Sequence, residues 1–215
     1  PAVGFEAVVR RARARYVRGL SATPVRKDGH HPTLFMQCGP IRYRVSAKQQ
    51  AARRPFVHLV KVRPTTFQPS LEAAEEADTR KQFQRTIDEL CAHAARNAKI
   101  CGEVAAALLA GRSPVVLSER VEHLARLEAE LRGRIPENTE VQLLKGGCGR
   151  RQLAAIRERL AAIPRDTPRL LLATGRYLGE GFDDARLDTL FLTLPVSWKG
   201  VIAQYAGRLH RLDAD

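Results

Sequence analysis

The amino-acid sequence predicts an α/β protein whose larger part is a mostly parallel, doubly wound sheet, on three observations. Apolar runs of strand length recur at Val115–Leu117, Val141–Leu144, Leu170–Ala173 and Leu187–Leu194. Helix-length stretches alternate with them, over 120–132, about 150–163 and around Gln204. Ahead of them, Phe83, Ile87, Leu90 and Ala94, then Ile100, Val104 and Leu108, recur at helical spacing, so two or more helices are expected between Leu71 and Ala110.

The elements follow in chain order. Residues 1–18 begin without a methionine and read as an element entered midway, with Val8, Val9, Tyr16 and Val17 framing Arg10, Arg11, Arg13 and Arg15. Val17 to Ser21 reads as a short buried strand stopped by Thr23-Pro24, and Val25 to Pro32 as a loop. Leu34-Phe35-Met36 and Ile41 to Val45 lie on either side of a Gly39-Pro40 turn, the second alternating apolar and basic residues as a half-buried strand does. The polar stretch 46–55 has the composition of a hinge, and Phe56 to Val62 starts a new apolar strand. The predicted organisation is therefore a first part over 1–45, a hinge over 46–55 and a second domain over 56–215. Ser113-Pro114 ends the long helical region, and the strand-then-helix unit repeats from Val115 onward.

Composition bounds the function. The chain has 215 residues, 44% of them hydrophobic, enough for one good core or two modest ones. Thirty-six Lys and Arg against 23 Asp and Glu give a net charge of +13, which favours polyanions, nucleic acid foremost. An anionic membrane surface competes as a partner, but no stretch combines a basic face with a bulky aromatic one, and no apolar run approaches the roughly 20 residues of a membrane span. The opening residues lack the pattern of a signal peptide, so a soluble, cytoplasmic protein is expected. Cys38, Cys91, Cys101 and Cys148 form no C-x-x-C pair. Zinc sites built on His30, His31 and Cys38, or on Cys91, His93 and Cys101, are the weaker reading beside free thiols and ordinary histidines.

In a parallel sheet, ligands bind where the strands end, so the residues just past each run carry the candidates. These are Ser118 and Glu119, then Lys145-Gly146-Gly147, then Thr174-Gly175, then the turn before Lys199. The Lys145 loop is not a P-loop, since no Gly-Lys-Ser/Thr follows. It lacks the third glycine of a dinucleotide fingerprint as well. A phosphate contact through Lys145 and Gly146 and a plain glycine-rich connection remain even readings. Thr174 offers a hydroxyl to a phosphate oxygen and Asp183 a carboxylate to a ribose hydroxyl, while glycines allow close backbone approach; the bland alternative is an ordinary Gly-rich connection. Near the end of the sequence, Gln204, Arg208 and Arg211 fall at i, i+4 and i+7, placing an amide and two guanidiniums on one helical stripe. Guanidinium matches phosphate oxygens bidentately, which suits a polyphosphate; a solvated basic face is the alternative.

Leu20-Ser21-Ala22-Thr23-Pro24, Ala173 to Asp183, and Gln204-Tyr205-Ala206-Gly207-Arg208-Leu209-His210-Arg211 together resemble motifs III, V and VI of superfamily 2 helicases of the DEAD/DEAH-box kind. The form is most similar to the group holding type III restriction motor subunits and excision-repair helicases, whose motif VI reads Q-x-x-G-R-x-x-R. The resemblance implies RecA-like architecture: the end of a first lobe over 1–45, and a second lobe with motifs IV, V and VI over 56–215. It implies that Ser21, Ala22 and Thr23 couple nucleotide state to strand grip, and that Ser118, Lys145, Gly146, Thr174 and Gly175 face the nucleic-acid backbone. Gly181, Asp183, Arg208 and Arg211 would face ATP, with Arg208 and Arg211 as arginine fingers and Gln204 positioning the phosphate or its water. ATP and Mg2+ are the implied cofactors, and nucleic acid, DNA ahead of RNA, the implied partner. A nuclease or modification subunit is a further possible partner.

The chain departs from the family in having no Gly-Lys-Thr/Ser P-loop and no Asp-Glu-x-His or Asp-Glu-Ala-Asp motif, so the magnesium ligands are not in it. The expectation is a second-lobe segment of a larger helicase or translocase, unable to hydrolyse ATP without the missing first-lobe segment. The alternative, from a different class, is a non-catalytic nucleic-acid-binding or assembly module built on a degenerate helicase lobe.

Overall fold

A computed structural model describes residues 7–8, 11, 13–21, 29, 32–45, 59–145, 149–175, 184–196 and 199–209. The chain divides into two compact units, Pro1–Arg63 and Pro64–Asp215. The predicted hinge over 46–55 lies outside the described residues.

In the larger unit, α2 (Leu71–Ala74), α3 (Thr79–Ala92) and α4 (Ala94–Leu109) precede a four-stranded sheet. Its strands are β1 (Pro114–Leu117), β2 (Glu140–Leu144), β3 (Arg169–Ala173) and β4 (Thr189–Leu192), and every pairing is parallel, in the order β2-β3-β1-β4. Helix α5 (Val121–Leu131) joins β1 to β2, α6 (Arg150–Ala162) joins β2 to β3, and α7 (Lys199–Arg208) follows β4. The α/β class and the parallel sheet flanked by helices are as the alternating pattern predicts.

Successive strand side chains go to opposite faces, and the core divides accordingly. Val115, Leu117, Leu171 and Ala173 pack with Leu160 and Ile163 at the end of α6 and with Tyr205 of α7. Val116, Leu170 and Leu172 pack with Cys101, Val104 and Leu108 of α4 and with Leu124, Leu127 and Leu131 of α5. The sheet is thus covered on both sides, which is why β1 and β3 are buried along their whole length and read as unbroken apolar runs.

Local chemistry sets the helix ends. Asp78 caps α3 by accepting from the backbone N–H groups of Arg80 and Lys81. His93 closes α3 and opens α4, its Nδ1 accepting from Arg96 N–H at 3.1 Å. Three side chains gather the carbonyls exposed at that break: Arg96 donates to Leu90 O, while Asn97 at 3.0 Å and Arg126 at 3.3 Å donate to Cys91 O. Helix α4 ends in a Schellman motif, with Gly111 at φ 73°, Gly111 N–H on Leu108 O and Arg112 N–H on Ala107 O.

The smaller unit differs from expectation. Leu34-Phe35-Met36 lies inside helix α1 (Pro32–Cys38), which starts with Pro at its first position and stops at Gly39, φ 76°, whose N–H bonds Phe35 O at 2.9 Å. Residues 17–21, 41–45 and 59–62 are not strands, and Leu20 is 99% exposed. An apolar run becomes a strand only when a neighbouring strand completes its ladder, and no described strand lies beside these. No described helix of the chain is long and apolar enough to cross a membrane.

At the amino end of the sheet, Arg169 of β3 meets Asp184 at 2.7 Å, with side chains only 4% and 11% exposed. Asp184 Oδ1 also accepts from Arg186 N–H, whose guanidinium bonds the carbonyls of Ile163, Pro164 and Arg165. Among the described residues Arg169 Nε and Asp184 Oδ2 have no hydrogen-bond partner, so the pair repays its desolvation only in part. Asp184→Ala, which strands the buried guanidinium, is expected to cost about 3–5 kcal/mol in urea unfolding followed by far-UV circular dichroism, and the double change Arg169→Met, Asp184→Leu to restore most of it. Additive losses in the double variant would contradict this account.

Candidate functional site at the carboxyl edge of the sheet

The parallel register brings the ends of all four strands to one edge, placing Ser118, Lys145, Thr174 and Thr193 directly after them. Backbone bonds carry the alignment past the strands: Ser118 N–H bonds Ala173 O at 3.2 Å, Thr174 N–H bonds Leu144 O at 3.0 Å, and Thr193 N–H bonds Leu117 O at 3.1 Å. The Thr193 hydroxyl also donates to Leu117 O at 2.6 Å, and Thr193 O accepts from the Arg96 guanidinium. Strand β1 is flanked by β3 and β4, so the chain order reverses at its carboxyl end, where ligands of such sheets bind.

Ser118 is 2% exposed and faces inward. Its hydroxyl stands 3.0 Å from His123 Nδ1, and His123 Nε2 stands 3.1 Å from Asn97 Oδ1. Asn97 Nδ2 donates to Cys91 O, so Oδ1 is the acceptor face, His123 carries its proton on Nε2, and Ser118 donates to Nδ1. Ser118 Oγ accepts in turn from Arg120 N–H at 3.2 Å. Serine, histidine and amide in series resemble a nucleophilic relay, but the Ser118 hydroxyl is committed to His123 and to Arg120 N–H, and this chain of bonds instead pins the turn over 118–120. Burial, then the Arg96 and Arg126 guanidiniums, push the His123 pKa down to about 4, so the ring is neutral.

On the other face of the edge, the Tyr205 hydroxyl of α7 donates to Glu119 Oε1 at 3.3 Å. Tyr205 is 4% exposed, and burial, then the Glu119 charge and that hydrogen bond, push its pKa up to about 12. Gly175 lies beneath the pair: a Cβ there would overlap the Tyr205 hydroxyl and the Glu119 carboxylate and come within 2.8 Å of Tyr205 Cζ. The glycine of Thr174-Gly175 is therefore required by a side chain from another element.

The structure brings together Thr174 and Gly175 after β3, Ser118 after β1 and the exposed Lys145 after β2, as the strand pattern predicts. The Ser118 hydroxyl points inward, to His123 and to Arg120 N–H. Gln204 and Arg208 lie on α7. Ser21 is described as exposed in the smaller unit, while Ala22, Thr23, Gly146, Gly181, Asp183 and Arg211 lie outside the described residues. Sequence reasoning missed Glu119 with Tyr205, and His123 with Asn97. The second pair had a signal, since His123 shares the apolar stripe of Leu127 and Leu131 on α5 at spacings of four. Cys91 and Cys101 are buried free thiols, and burial, foremost, pushes the Cys101 thiol up to about 11. Among the described residues no group of three or more His, Cys, Asp or Glu could hold a metal ion.

The neutral His123 sets an acid limit. Above about pH 6.5 the ring is neutral both folded and unfolded; below it the unfolded chain takes up a proton that the folded one refuses until about pH 4. Stability is therefore full above that range and falls as pH drops through it, by roughly 3 kcal/mol from this group. Urea unfolding of His123→Gln at pH 7, 5.5 and 4 is expected to show a shallower decline than the parent chain. Parallel declines would mean that His123 titrates normally in the fold.

No protein-family model matches the chain, and no curated protein matches it. Among solved structures it is similar to T4 UvsW, at TM-score 0.52 and 15% identity over 66% of this chain and 26% of that one. It is also similar to the C-terminal part of the Fun30 ATPase domain, at TM-score 0.42 and 16% identity over 49% of this chain and 32% of that one. The chain thus spans about a quarter of the length of UvsW. The likeness to UvsW shows the fold alone: a parallel sheet flanked by helices, RecA-like in architecture.

Proposed function

We propose that this chain is part of an ATP-dependent nucleic-acid helicase or translocase, supplying a strand grip and phosphate-facing arginines. The observation that carries the reading is the meeting of Lys145 and Thr174-Gly175 at the carboxyl edge of a helicase-like sheet, with Gln204 and Arg208 on α7, whose Tyr205 contacts that edge. Helix α6 adds to it: its first turn holds Arg150 and Arg151 and no acidic residue, and Gly149 offers no side-chain cap. Cations at the positive end of a helix dipole are unfavourable for the helix itself, and a phosphate nearby reverses that balance.

In this reading Lys145, Gly146, Thr174 and Gly175 hold the sugar-phosphate backbone, giving affinity without base readout. Gln204, Arg208 and Arg211 face the triphosphate, with Gly181 and Asp183 on its nucleoside side, and Ser21-Ala22-Thr23 couples the two. ATP would supply the free energy of movement. The sequence has no P-loop and no Asp-Glu-x-His or Asp-Glu-Ala-Asp motif, so in this reading the chain does not turn over ATP unaided. DNA is the expected strand, ahead of RNA.

Binding of single-stranded and duplex DNA across a salt series tests the assignment. Affinity is expected to fall steeply with salt, and Lys145→Ala to weaken it and lower the log–log slope by about 1, the loss of one phosphate contact. Arg211→Ala should leave binding almost unchanged. Equal losses in the two variants would put the arginine stripe on the nucleic-acid surface and favour a passive binding module. Magnesium-dependent ATP turnover by the pure chain, abolished in Arg211→Ala, would overturn the reading that this chain is inactive alone.

A further inference from the structure

The last helix is held to the sheet by two kinds of contact. Val201, Tyr205 and Leu209 recur at spacings of four and pack on the core formed by Val115, Leu117, Leu171 and Ala173. Such packing is non-directional and leaves a helix some freedom to roll. The Tyr205–Glu119 hydrogen bond is directional, and it fixes the helix at a defined angle about its axis. Glu119 is a firm anchor, since its neighbours on both sides are fixed by the Ser118 hydroxyl, which donates to His123 and accepts from Arg120 N–H. Gly175, the residue after Thr174, leaves the room in which hydroxyl and carboxylate meet. Three strand-end segments, from β1, from β3 and from the helix after β4, thus converge on one hydrogen bond.

We propose that Glu119 and Tyr205 are positioning residues, a latch seated over Gly175 that sets the roll of α7 and links Thr174 to positions 204 and 208. This rests on the reading above for what Thr174, Gln204 and Arg208 contact. With about 100° between successive helical residues, positions 204 and 208 lie on one flank of position 205, so a roll of α7 about its axis moves both together. At 3.3 Å the bond is longer than the 2.5–3.0 Å usual for O–H···O, which suits a contact made and broken in use. A phosphate arriving at Thr174 meets the Glu119 carboxylate beside Gly175, and repulsion between the two would open the latch and release α7.

Amide hydrogen exchange of the whole chain tests this, with and without single-stranded oligothymidylate. Tyr205→Phe keeps the ring and its packing, and Glu119→Gln keeps an accepting oxygen. Without oligonucleotide, α7 amides are expected to exchange about tenfold faster in Tyr205→Phe and Glu119→Ala, close to the parent rate in Glu119→Gln, with α4 unchanged in all three. With oligothymidylate bound, α7 exchange should rise in the parent chain and not rise further in Tyr205→Phe. Unchanged α7 exchange in both Tyr205→Phe and Glu119→Ala, or a Glu119→Gln as fast as Glu119→Ala, would overturn the latch. An oligothymidylate that leaves parent α7 exchange unaltered while binding would remove its link to Thr174. Failure of oligothymidylate to bind at all would remove the nucleic-acid reading, and the exchange rates of the free variants would still decide whether the latch exists.

Discussion

Burial of β1 on both faces is the constraint on which the rest of this unit depends. A strand with no solvent face must have a strand on each edge and a helix layer above and below, and each requirement is met by a different part of the sequence. Val115 and Leu117 commit to the α6 and α7 side, Val116 to the α4 and α5 side. With β3 and β4 paired to it in register, the ends of four strands come to one edge, and the first residues after them inherit the position at which such sheets bind ligands. A polar residue directly after so buried a strand must find partners or pay its desolvation, which is why Ser118 turns inward to a histidine and an amide.

Positive charge serves two purposes here. Arg96 and Arg126 gather carbonyls at the break between α3 and α4, Arg134 bonds Ala98 O, and Arg169 is committed to Asp184. These four arginines are structural mortar. Lys145, exposed at the end of β2, and Arg151, exposed in the first turn of α6, belong to the other class, cations at the edge where an anion would arrive.

The parallel sheet was legible because strands buried on both faces read as unbroken apolar runs, and 115–117 and 170–173 stand out against their charged surroundings, while 141–144 carries Gln142 within it and is only partly buried. The same logic misread 17–21, 41–45 and 59–62, since apolar content states a preference for burial and says nothing about whether a neighbouring strand is present. Leu34 to Met36 carried its own correction in Pro32 and Gly39, a helix start and stop close enough to look like a turn on each side. Of the site, Lys145 and Thr174-Gly175 could be found because position after a strand is a local property. The partnership of Glu119 with Tyr205 spans 86 residues, and neither residue's surroundings in the sequence point to the other.

Arg96 has one further implication, for the order in which the chain assembles. Its bond to Leu90 O lies within an elbow that forms from near neighbours, whereas its bond to Thr193 O reaches 97 residues along the chain to the end of β4. Contacts of short separation close quickly and those of long separation late. One guanidinium therefore joins an elbow built from near neighbours to the end of the last described strand, so the final geometry of the elbow depends on the sheet beside it.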